Sequence, residues 1–132
     1  MLCTEGHGLP IAVLVKRANP AEVTLIEPLL AARVIRCQPQ RLLYDRAADS
    51  DPLRQRLQRR GIDLICPHRK SRTKPKTQDG RKLRRYQRRW KIERSISWLF
   101  NFRRLVVRYE RDHNLFHGFI QLACMFTVIR KF

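Results

Sequence analysis

The sequence predicts an α/β fold built on a central mixed sheet with flanking helices, and three observations predict it. Short β-rich apolar runs alternate with segments whose apolar residues recur at helical spacing. The hydrophobic fraction of 43% lies near the globular norm of roughly 45–50%, enough for one modest core and too much for a disordered polyelectrolyte. A chain of 132 residues has room for a single small domain, taken as residues 1–132.

The elements follow in chain order. Leu2 to Glu5 and Ile11 to Lys16 read as paired antiparallel strands, with Gly6 and Gly8 suited to the turn between them. Asn19-Pro20 ends this run, and Val23, Ile26, Leu29 and Leu30 predict an amphipathic helix over Glu22 to Arg33. Arg41 to Asp45 reads as a short buried strand. Ser50 or Asp51 caps the next helix, with Pro52 in its first turn and Gly61 at its stop. Ile62 to Cys66 is a further strand, which can pair in parallel with an earlier one.

Pro67 to Gly80 carries prolines and cations without apolar periodicity and predicts a flexible basic loop, extended to residues 67–82 by Arg81 and Lys82. From Arg81 a long helix is expected. Ile92, Ile96, Leu99 and Val106 form one face, and Tyr86, Trp90, Glu93, Ser97 and Phe100 a second. Trp90 and Trp98 read as core or sheet-packing residues. The last helix places Leu115, Phe119, Leu122, Phe126 and Ile129 on one stripe and is expected to cover the core with it.

Charge narrows the function. Lys and Arg number 29 against 11 acids, a net charge of +18. From Arg69 to Arg94 there are thirteen cations against Asp79 and Glu93 alone. Such a field suits a polyanion, nucleic acid or an anionic membrane. Nucleic acid is favoured, because the best apolar segment, Leu115 to Ile129, is interrupted by His117, Gln121 and Thr127, so no membrane span is expected. No secretory leader is visible, so the cytosol is the expected compartment. Cys3, Cys37, Cys66 and Cys124 form no C-x-x-C pair and read as reduced small hydrophobes. The four histidines show no ligand spacing.

In so basic a chain each acid is worth locating. Glu5 and Asp45 end apolar strands and Glu93 lies mid-helix. Carboxylates at neighbouring strand ends, with a third from a helix, can hold two hard divalent cations such as Mg²⁺ for phosphodiester displacement. The plainer reading of the same residues is a turn or cap at Asp45 and a surface ion pair at Glu93.

Five stretches carry a resemblance: Leu43-Tyr44-Asp45-Arg46-Ala47-Ala48-Asp49-Ser50-Asp51, Pro67-His68-Arg69-Lys70, Lys74 to Arg81, Tyr86-Gln87-Arg88-Arg89-Trp90-Lys91-Ile92-Glu93-Arg94, and Asn101 to Glu110. Together, over nearly the whole chain, they resemble the C-terminal catalytic part of bacterial insertion-sequence transposases of the DDE type. The most specific match is Tyr-x2-Arg-x3-Glu, met by Tyr86, Arg89 and Glu93. The resemblance implies an RNase H-like fold, present in part, and Mg²⁺- or Mn²⁺-dependent cleavage and strand transfer at transposon ends. It implies Glu5, Asp45 and Glu93 as catalytic acids and metal ligands.

On one helix, Tyr86 and Arg89 would contact DNA phosphates beside Glu93. The loop cations Arg69, Lys70, Arg72, Lys74, Lys76, Arg81 and Lys82 would make further phosphate contacts. The expected partners are transposon-end and target DNA, with a homodimer or larger synaptic assembly left open, in the bacterial cytoplasm at the nucleoid. Three positions depart from the family pattern: Glu5 stands for its first Asp, Phe100 for its Lys seven residues after the Glu, and Ala48 for an aromatic. With no counterpart to the family's N-terminal part, the chain reads as a truncated transposase. The alternative is an inactive remnant that binds DNA without sequence choice.

Overall fold

The computed structural model describes residues 1–16 and 19–131. Two compact units form. One is Met1–Ile35 with Trp90–Phe132, and the other is Arg36–Arg89.

The first unit begins with the expected hairpin: β1 (Leu2–Thr4) pairs antiparallel with β2 (Pro10–Val13), with an irregularity between Cys3 and Thr4. Pro10 has no N–H to give the ladder and sits at the start of its strand, where that loss matters least. Helix α1 (Glu22–Ala31) buries Ile26, Leu29 and Leu30, the face its spacing predicts.

The second unit is a βαβ element. Strand β3 (Arg41–Leu43) pairs in parallel with β4 (Asp63–Ile65) across helix α2 (Asp51–Arg59). The Ser50 hydroxyl accepts from the Leu53 amide at 3.5 Å, and Pro52 lies in the first turn. Gly61 takes φ +73°, the left-handed conformation that ends helices and suits glycine. Leu53, Leu57, Ile62, Leu64, Ile65 and Cys66 make the core of this unit. The α/β class holds, but the single mixed sheet does not: the described strands form two separate two-stranded sheets.

The long helix from Arg81 is also corrected. A short helix α3 (Gly80–Leu83) gives way to a 3₁₀ stretch over Arg84–Arg89, and only then does α4 (Trp90–Leu99) begin. In α4 the buried residues are Ser95 and Leu99, while Ile96 is exposed. Phe102 is extended and starts the separate helix α5 (Arg103–Val106), which leaves Val106 exposed.

Helix α6 (His113–Ile129) is where expected, but it is turned. Its buried residues are the small side chains Ala123 and Thr127, and the helix packs on β2, α4 and α5. The Thr127 hydroxyl is satisfied by the Ala123 carbonyl at 2.8 Å, and His117 Nε2 lies 3.3 Å from the Val13 carbonyl. Of the predicted stripe, Leu115, Leu122, Phe126 and Ile129 are exposed and Phe119 is half-buried. Among the described residues no helix is long and apolar enough to cross a membrane. All four cysteines are free; Cys66 is buried and Cys37 exposed.

Candidate functional site

In the first unit, the turn after β1 holds Glu5 by its own backbone. The amides of His7 and Leu9 donate to Glu5 Oε1 at 2.7 and 3.0 Å, while the Glu5 amide donates to the Leu9 carbonyl at 3.0 Å. Helix α4, which carries the exposed Glu93, clasps this turn. Lys91 Nζ donates to the Gly6 carbonyl, Arg94 Nη2 to the His7 carbonyl at 2.7 Å, and Ser95 Oγ to the Gly8 carbonyl.

Positions 91, 94 and 95 share one helix face, so three successive carbonyls meet three donors. Gly8 has φ +95°, and a Cβ there would come within 3.1 Å of Ser95 Oγ and 3.3 Å of the Lys91 carbonyl. Only glycine lets the turn and the helix approach this closely. The residues of the clasp were missed in the sequence, although their i, i+3, i+4 spacing is legible in it.

The tryptophans of α4 are not core residues. Trp90 is 52% exposed, and the Arg94 guanidinium lies 4.7 Å from the ring centres of both Trp90 and Trp98. The Lys131 ammonium sits 4.4 Å from the Trp98 ring centre. This is a cation–aromatic stack along one helix edge. Phe100, which stands where the family carries a Lys, is exposed at the end of the same helix.

In the second unit, Asp45 follows β3 and caps the 3₁₀ turn Arg46–Ala48, accepting from the Ala47 amide at 2.8 Å. Its other oxygen lies 3.6 Å from Arg89 Nη2 of the signature. Tyr86 and Arg89 share the 3₁₀ stretch, where residues three apart are eclipsed. Ala48 is fully buried, so an aromatic at that position would require repacking.

The dominant carboxylate here is one that sequence reasoning passed over. Asp49, with a side chain 2% exposed, receives Arg54 Nη2 at 3.0 Å, His68 Nδ1 at 2.9 Å, Arg72 Nη1 at 3.4 Å and the Arg69 amide at 2.8 Å. Burial pushes its carboxyl up, but the Arg69 amide, His68 and Arg54 outweigh that and hold it at about 2. His68 Nε2 accepts from the Thr77 amide at 3.1 Å, which leaves the ring proton on Nδ1, facing Asp49. The buried Cys66 thiol is pushed up to about 11 by desolvation and is a poor nucleophile.

The basic loop is consequently tied down rather than loose. Arg72 pairs with Asp49 and Asp51 and donates to the carbonyls of Lys74 and Pro75. Arg69 donates to the Arg46 and Ala47 carbonyls, and Lys82 pairs with Asp63 at 3.0 Å. Lys70, Lys74, Lys76 and Arg81 remain exposed.

Carboxylates are the right donors for a hard divalent cation. Glu5 and Glu93 belong to one unit and Asp45 to the other, and among the described residues there is no group of three or more His, Cys, Asp or Glu that could hold a metal ion.

Residues 1–128 match the family model described as the transposase DDE domain, and the chain belongs to that family. It is similar to a Burkholderia cepacia protein described as a candidate transposase for insertion sequence element IS402, with 35% identity over 131 residues, covering 93% of this chain. The chain spans 58% of that relative's length. No solved structure matches it.

Proposed function

We propose that this chain is the catalytic part of an insertion-sequence transposase, acting on DNA at transposon ends and at a target, with Glu5, Asp45 and Glu93 as its catalytic acids. The observation that carries the reading is the clasp in the first unit, where the turn bearing Glu5 is fastened to the helix bearing Glu93 by three side-chain donors. Family membership supplies the reaction class, and an RNase H-like single domain over residues 1–132 is the corresponding fold. The carboxylates are the donors that would take Mg²⁺ or Mn²⁺.

Tyr86 and Arg89 contact phosphate in this reading. The exposed Lys70, Lys74, Lys76 and Arg81 attract the duplex, while Arg69, Arg72 and Lys82 chiefly shape the surface that presents them. Four such phosphate contacts give a log–log salt slope of about −4. The protein would act at the nucleoid, in the cytoplasm.

A second reading is favoured by one observation: Glu5 Oε1 is already occupied by two backbone amides. In that reading the chain binds DNA without cutting it. The test is nicking of duplex DNA carrying the element's terminal repeats, with Mg²⁺ or Mn²⁺ supplied. The transposase reading expects nicking that falls at least about 100-fold in both Asp45→Asn and Glu93→Gln, since each removes an acid from the reacting centre. Salt-sensitive binding without nicking establishes the second reading. Nicking unaffected by either change refutes the assignment of the acids.

A further inference from the structure

Asp45 stands at the head of a turn too short to hold itself. Strand β3 runs up to it, and the Tyr44 amide carries the parallel ladder one residue further by donating to the Ile65 carbonyl at 3.0 Å. Beyond Asp45 the chain makes only the 3₁₀ turn Arg46–Ala48, which lacks the repeated bonds that steady a longer helix. The Asp45 side chain is 36% exposed. It accepts from the Ala47 amide at 2.8 Å, whereas Arg89 Nη2 at 3.6 Å stands at ion-pair distance and beyond hydrogen-bond reach. Where this carboxylate points therefore depends on what holds the turn.

Arg69 holds it, from 23 residues along the chain. Its Nε donates to the Arg46 carbonyl at 3.3 Å and its Nη2 to the Ala47 carbonyl at 2.9 Å. One planar fork thus meets two successive carbonyls, at the end of the turn opposite to the one that Asp45 caps.

The fork is itself anchored. The Arg69 amide donates to Asp49 Oδ2 at 2.8 Å, and the preceding His68 meets Asp49 Oδ1 at 2.9 Å through Nδ1. Asp49 is 2% exposed and is gripped further by Arg54 and Arg72. A buried carboxylate four residues after Asp45 thereby sets the backbone of Arg69, and the Arg69 side chain returns to the turn between the two acids. All of these residues belong to the unit Arg36–Arg89.

We propose that Arg69 is the positioning residue for Asp45: anchored by Asp49, its guanidinium fixes the turn that aims the Asp45 carboxylate, and it acts through Asp45 instead of contacting phosphate. Its consequence for the reaction rests on the reading of Asp45 as a catalytic acid. A cation that only attracts DNA is replaceable by lysine. A cation that holds two carbonyls is not, because an ammonium on a flexible stem lacks the two fixed donors of the fork.

Arg69→Lys and Arg69→Ala, both at an exposed position, separate these roles. The first measurement is hydrogen exchange by NMR at the Ala47 amide, the donor to Asp45. Exchange there is expected to be at least about tenfold faster in both variants, while the amides of α2 keep their protection. The second is nicking of terminal-repeat duplex at saturating DNA, with Mg²⁺ or Mn²⁺ supplied. The rate is expected to fall at least about tenfold in both variants, while the DNA affinity of Arg69→Lys stays within about twofold of wild type, because a misdirected group costs rate and not binding.

Unchanged Ala47 exchange in Arg69→Ala overturns the proposal. So does a loss of DNA affinity in Arg69→Ala that Arg69→Lys restores together with nicking, the signature of a phosphate contact. Protection lost throughout α2 in both variants also overturns it, since Arg69 would then support the whole unit. If Ala47 is released in both variants but the wild type does not nick, or nicks equally well as Asp45→Asn, the positioning stands and the catalytic reading of Asp45 is what fails.

Discussion

The two units handle opposite problems in different ways. Arg36–Arg89 carries the densest cationic sequence and neutralises part of it internally: Asp49 gathers Arg54, Arg72, His68 and the Arg69 amide around one buried carboxylate. The unit of Met1–Ile35 and Trp90–Phe132 holds the least charged helix, but leaves Leu115, Leu122, Met125, Phe126 and Ile129 of that helix exposed. Charge in a sequence therefore does not translate directly into solvent exposure, nor does apolarity translate into burial. What decides is whether a matching partner lies within reach in the fold.

The comparison breaks most sharply at Asp49. Asp49→Ala leaves two guanidinium groups without their counter-charge and an imidazole N–H without its acceptor, and the expected loss is about 3–5 kcal/mol in denaturant unfolding. The pH dependence carries the same signature. The folded carboxyl lies at about 2, below its ordinary 3.8, so its stabilisation of about 2 kcal/mol is complete above pH 4 and disappears as pH falls through 2. Acid titration of the wild type against Asp49→Asn should show that slope only in the wild type.

A pair of truncations sharpens the contrast between the cores. Leu53→Ala in the second unit removes a fully buried side chain and should cost about 3 kcal/mol, whereas Val106→Ala in the first unit removes one that is 59% exposed and should cost under about 0.5 kcal/mol. Equal losses in chemical denaturation would mean that Val106 is covered in solution. Between these two lies the α2 cap. Ser50→Ala should cost about 0.5–1 kcal/mol by thermal melting, at the low end for caps because the bond to the Leu53 amide is long at 3.5 Å.

Much of this molecule is legible locally. The hairpin over Leu2–Thr4 and Pro10–Val13, the buried face of α1, and the Ser50, Pro52 and Gly61 punctuation of α2 can all be read from residues within a few positions of one another. The family is legible as well, because its signature residues lie close together in sequence. The break between α3 and α4 is masked in the sequence because Tyr86, Trp90, Glu93 and Ser97 keep helical spacing across it. The Asp49 cluster had no local sign, since His68, Arg69 and Arg72 join it from about twenty residues away. Nor does spacing reveal that Ser95 and Arg94 reach carbonyls 87 positions back in the chain.

The last helix states the division most clearly. Sequence alone determines that His113–Ile129 is helical, uncharged and striped with large apolar residues, because those properties depend on spacing along one helix. Only the tertiary structure decides which side packs. Packing against β2, α4 and α5 buries the small Ala123 and Thr127 and leaves Leu122, Phe126 and Ile129 exposed, because close packing selects side chains by the space available between elements as well as by hydrophobicity.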